Sequence, residues 1–244
     1  MRTKNPALNR LNRRTPGEVY SGEVMTVNGT INKIGLLLLM ASATALFTWS
    51  RGIEQTWPLM MLGLIAGLIF ALITIFKAEW AKVTAPLYAL AEGLFLGGIS
   101  AYYNHLMPGI PFQAVLITFG ILFAMLFVYR SGIIKVTNSF AKGVVAATGG
   151  IFLVYLSTWI LGFFGINVPF LHEASPIGIG ISVFIVIIAA LNLLLDFRLI
   201  DDGVAEGAPA DFEWYAAFGL MVTLVWLYIE VLRLLWMIYS VMDD

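Results

Sequence analysis

Residues 177–200 read IGIGISVFIVIIAALNLLLDFRLI, an apolar run that stays uncharged until Asp196 near its end. Residues 212–239 read FEWYAAFGLMVTLVWLYIEVLRLLWMIY, with Glu230 and Arg233 set deep in the run. A bilayer crossing takes roughly 20 apolar residues, so each run is long enough to span. An ionised acid costs roughly 3 kcal/mol or more at the centre of a bilayer, so a carboxylate inside such a run is a candidate functional group. Asp196 and Glu230 therefore mark where chemistry would sit, and a third acid, Glu92, lies in another apolar run.

Working outward, hydropathy gives five further spans: Lys33–Trp49, Trp57–Phe76, Thr84–Tyr103, Phe112–Tyr129 and Gly143–Phe164. Turn signals separate the runs: Arg51–Gly52, Met107–Pro108–Gly109, Arg130–Ser131–Gly132, Ser175–Pro176 and Gly207–Ala208–Pro209. Only 12% of the 244 residues are charged and 60% are hydrophobic. Soluble domains carry about 25% charged residues, so the deficit alone points to a polytopic membrane protein. The expected fold class is all-α integral membrane, a bundle of seven transmembrane helices. With no cysteine, disulfides and thiolate metal sites are excluded. A net charge of −1 gives no argument for nucleic acid as a partner.

Residues 1–30 are polar and basic, with no apolar core of signal-peptide length. They read as a loosely attached cytoplasmic tail, and residues 31–244 as one seven-helix membrane domain. With the N-terminus inside, the cytoplasmic side holds twelve of the fourteen cations, among them Lys33, Lys77, Lys82, Arg130, Lys135, Lys142 and Arg198. The far side holds Arg51, and Arg233 lies within the last span. Such asymmetry orients membrane proteins. It places the chain in a cell membrane, inner or plasma, with the N-terminus cytoplasmic and the C-terminus outward. Small residues recur four apart at Gly63 and Gly67, Gly93 and Gly97, and Ala146 and Gly150. This spacing lets helices approach closely, either in ordinary packing or in a dimer face.

Each acid admits a structural and a functional reading. Arg233, three residues beyond Glu230, is within intrahelical pairing reach and could make a purely structural ion pair. Asp196 sits near the cytoplasmic interface, where solvent, Arg198 or Lys142 could balance it, and Asn192 shares its helix face. Glu92 has no cation on its own span and must be protonated, paired elsewhere, or facing a wet cavity. If Asp196 and Glu230 meet, they would share a proton and sense pH without histidine. Two carboxylates also offer the hard oxygen ligands that Ca²⁺ prefers, though as a weak and transient site. His105 and His172 lie at outward loops with no nucleophile or ligand cluster beside them. No Gly-x-Ser-x-Gly, Gly-x-Gly-Asp or phosphate-binding loop occurs, so no enzyme activity and no cofactor are expected.

The C-terminal third resembles the Bax inhibitor-1 family, including its bacterial YccA-like and YetJ-like members. Leu194–Leu195–Asp196–Phe197–Arg198–Leu199–Ile200 carries the resemblance, with Asp211–Phe212–Glu213–Trp214–Tyr215 and Leu227–Tyr228–Ile229–Glu230–Val231–Leu232–Arg233. Asp196 matches the first acid of the family pattern. Glu230 matches the second with Glu in place of Asp, about ten residues further along than in the simplest members. The resemblance implies seven helices with the last one central. It also implies a pH-sensitive Ca²⁺ leak in which Asp196 and Glu230 act as one gate. Arg233, Glu92, Asn192 and Arg198 are the expected gate or lining partners, and Ca²⁺ is the permeant ion. An alternative is a non-conducting regulator that binds a membrane protein such as a protease, with the basic tail as its docking segment.

Overall fold

The structure is a computed structural model in which residues 23–51, 53–165 and 174–243 are described. Seven long helices follow in chain order: α1 Val27–Trp49, α2 Ile53–Phe76, α3 Ala81–Leu106, α4 Ile110–Arg130, α5 Asn138–Phe163, α6 Pro176–Ala205 and α7 Phe212–Asp243. A short 3₁₀ turn, Ala78–Trp80, joins α2 to α3. All seven are long and apolar enough to cross a membrane, and no β-strand occurs among the described residues. Each helix covers one expected span and overruns it, except that α5 stops one residue short of Phe164. Hydropathy sees only the hydrocarbon crossing, whereas the backbone hydrogen bonds carry the helix on into the polar interface. α6, for example, continues beyond Ile200 through Asp201 and Asp202 to Ala205.

Residues 23–26 lie against the segment before α7, and residues 27–30 form the first turn of α1. Thr26 is the N-cap of α1, and its hydroxyl accepts from the Gly29 amide at 2.9 Å. Val24 pairs with Pro209 in an isolated antiparallel bridge. Residues 1–22, which carry most of the expected tail, lie outside the described residues, as does His172.

By their contacts the described residues group into two compact units. The first holds residues 23–102 with Asp196–Val222, and the second holds Tyr103–Leu195 with the rest of α7. In the first unit α3 is approached by two helices through glycine. A Cβ on Gly63 of α2 would stand 2.5 Å from the Ala91 carbonyl oxygen of α3. On α3, a Cβ at Gly93 or Gly97 would meet the α1 backbone at Ala41 or Ala45. Two of the three small-residue pairs thus serve helix packing, as close approach requires. Gly150 has nothing within 4 Å. Thr74 of α2 donates to Thr84 of α3 at 2.7 Å, and Tyr88 packs edge-on against Phe218 of α7 at 5.0 Å.

In the second unit Tyr239 of α7 donates to Gln113 of α4 at 3.0 Å, and Tyr103 meets Trp236 edge-on. The last helix is the most enclosed of the seven: 67% of its most apolar window is buried, against 11% for α5.

Candidate functional site

In the first unit, Asp196 lies on α6 nine residues before the helix ends. It is half-buried, with its Oδ2 enclosed. Opposite stands Gly219 of α7, where an added Cβ would lie 3.7 Å from Asp196 Oδ1. The carboxylate therefore lies close to the α7 backbone at Gly219. Arg198, two residues on, forms an ion pair with Asp202 one turn further along, at 3.4 Å and partly exposed.

Glu92 is buried at mid-helix in α3. An added Cβ on Gly67 of α2 would stand 2.8 Å from its Oε2, so Gly67 is what admits the carboxylate between the two helices.

A carboxylate that sequence reasoning did not single out as a site is Glu213, in the first turn of α7 and only 4% exposed. Its Oε1 accepts from the Thr26 amide at 2.7 Å and from the Thr26 hydroxyl at 3.1 Å. Its Oε2 accepts from Lys33 Nζ on α1. An acid in a first turn normally needs no partner beyond the helix dipole, so its sequence position gave no signal of this contact.

In the second unit, Glu230 is buried within α7. Tyr155 of α5 donates its hydroxyl to Glu230 Oε1 at 2.7 Å, and the Trp226 side chain one turn back also hydrogen-bonds the carboxylate. Arg233 Nη2 stands 2.8 Å from Glu230 Oε2, at an angle outside that of a hydrogen bond, so the contact is an ion pair. The guanidinium also lies 5.4 Å from the Tyr155 ring centroid. One opposite charge and two donors thus hold Glu230 in place. This is the arrangement that makes burial of a charge tolerable. Asn192 of α6 donates to Thr148 of α5 at 2.8 Å and to the Ile188 carbonyl of its own helix, which fixes its amide in a helix contact.

His105 is exposed near the end of α3. No cluster of three or more histidine, aspartate or glutamate side chains that could hold a metal ion occurs among the described residues.

Seven membrane-length helices enclosing single carboxylates define a polytopic helical membrane protein. A family model described as Bax inhibitor 1 like matches residues 5–240, and the chain belongs to that family. No curated protein matches the chain.

Proposed function

We propose that this chain is a non-enzymatic protein that lets cations, Ca²⁺ foremost, leak down their gradient across a cell membrane. Asp196 and Glu230 are the acids that govern passage and its response to pH, and no resident cofactor takes part. The observation that supports this reading is the setting of Asp196: an enclosed carboxylate facing the bare backbone of Gly219. An ionised carboxylate there offers hard oxygen to a passing cation, and a protonated one withdraws it. Glu230 contributes differently. With Arg233 beside it the pair is neutral overall, so Glu230 shapes the field of the pathway more than it binds an ion. Glu92 is a further lining candidate. The charge asymmetry of the sequence orients the N-terminus to the cytoplasm and the C-terminus outward.

The test is Ca²⁺ flux in proteoliposomes between about pH 6 and pH 8, a range in which an acid of a poorly solvated site can titrate. Asp196→Asn is expected to change the flux several-fold and flatten its pH dependence, and Glu230→Gln to change it less. Unchanged flux and pH dependence in both variants would remove the assignment. Removing residues 1–22 should leave the flux intact. Loss of a co-purifying membrane protein instead, with no flux in the full chain, would favour the partner-binding reading.

A further inference from the structure

The contact between residues 23–33 and the α6–α7 connection joins segments about 180 residues apart in the chain. It has three layers. At the backbone, the Met25 amide donates to the Ala208 carbonyl at 2.7 Å, and the Ala210 amide donates to the Glu23 carbonyl at 2.9 Å. Among apolar groups, Met25 is 2% exposed, and an added Cβ at Gly203 would stand 2.8 Å from its sulfur. Among charges, Glu213 gathers the Thr26 amide, the Thr26 hydroxyl and Lys33, and Lys33 also lies 5.4 Å from the Trp214 ring. Gly29 is essential to this fit, because a side chain there would collide with the Glu213 carboxylate.

The contact spans the hairpin end that carries Asp196. α6 ends at Ala205 and α7 begins at Phe212, so residues 206–211 alone connect them. Asp196 lies nine residues before that end and Gly219 seven residues after it. These offsets correspond to roughly 10–14 Å along the helices. A clamp at the hairpin end therefore limits how far α6 and α7 can part where Asp196 meets Gly219.

We propose that residues 23–33 form a strap whose Lys33–Glu213 contact holds the α6–α7 hairpin closed and so sets access to Asp196. As a control of ion passage, this rests on the leak reading above. As a conformational device, it stands on its own geometry. Lys33 and Glu213 are positioning residues, since neither touches the ion in this scheme. The strap keeps a buried ion pair and two hydrogen bonds in one place, so losing one partner strains the whole contact.

The chain contains no cysteine, which gives a clean background for thiol labelling. Gly219→Cys fits the space opposite Asp196, and its reaction with a water-soluble methanethiosulfonate reagent in proteoliposomes reports access to that point. Lys33→Met and Gly29→Ala are each expected to speed labelling about tenfold, as local opening becomes easier. Equal labelling rates in both, with thermal unfolding unchanged, would overturn the strap. A second route covers variants that do not fold. Val24→Cys with Pro209→Cys places a disulfide across the observed bridge. Closing it should slow amide exchange over residues 203–213 and reduce Ca²⁺ flux, and reduction should restore both. Exchange and flux that ignore the disulfide would also overturn the strap. Faster labelling in the first set with no Ca²⁺ flux in any variant would keep the strap and remove the leak reading.

Discussion

Asp196 and Glu230 are the same kind of feature on paper, each an acid set within a long apolar helix, yet their surroundings differ. Glu230 is gripped: a tyrosine from another helix, a tryptophan one turn back and an arginine one turn ahead all address its carboxylate. Asp196 faces a glycine, and its arginine neighbour two residues on pairs with Asp202. The difference teaches that burial cost identifies an acid worth asking about but does not say what the acid is packed against. A gripped acid is expensive to disturb and slow to change state.

The comparison can be broken most decisively at Arg233. Arg233→Ala leaves the Glu230 charge without its cation and should cost about 3–5 kcal/mol of stability, read from unfolding in detergent. The double variant Glu230→Gln with Arg233→Met should recover most of that loss. A stable Arg233→Ala protein would mean that Glu230 is not gripped at all. Next in size, Tyr155→Phe removes a hydrogen bond to a charged group and should cost about 1.5–3 kcal/mol in the same measurement. Asp196→Asn sharpens the other half. It should change Ca²⁺ flux in proteoliposomes more than any Glu230 variant that still folds. The smallest effect is expected from Gly219→Ala. Its Cβ would make ordinary contact with Asp196, and replacing a helical glycine should stabilise by about 0.4–1 kcal/mol. A large stability loss there would show that Asp196 is packed as tightly as Glu230.

The helices were the most legible part of the sequence, because lipid imposes a continuous apolar length on every crossing and hydropathy reads that length directly. Leu194–Ile200 and the run around Glu230 likewise carried the family resemblance before any coordinates. The Glu230–Arg233 pair was readable because i,i+3 neighbours meet on any helix. Tyr155 was not, since it lies 75 residues away and nothing in its own run distinguishes it from an interfacial tyrosine. The same holds for Glu213 and Lys33. Each looks like an ordinary charge at a helix end, and only the docking of residues 23–26 on the loop before α7 makes them partners. Polar residues beside a membrane span read as solvated when their contacts come from a distant loop.

That docking bears on how the chain is handled at the bench. Trimming thirty polar residues to aid expression would delete the cap of α1 and strip the Glu213 carboxylate of its Thr26 donors, in a protein otherwise left whole. A cut after residue 22 keeps Glu23, whose carbonyl the Ala210 amide uses, and with it the whole clasp. Contacts that α1 and α7 depend on thus lie ahead of the first stretch of hydrocarbon-soluble sequence.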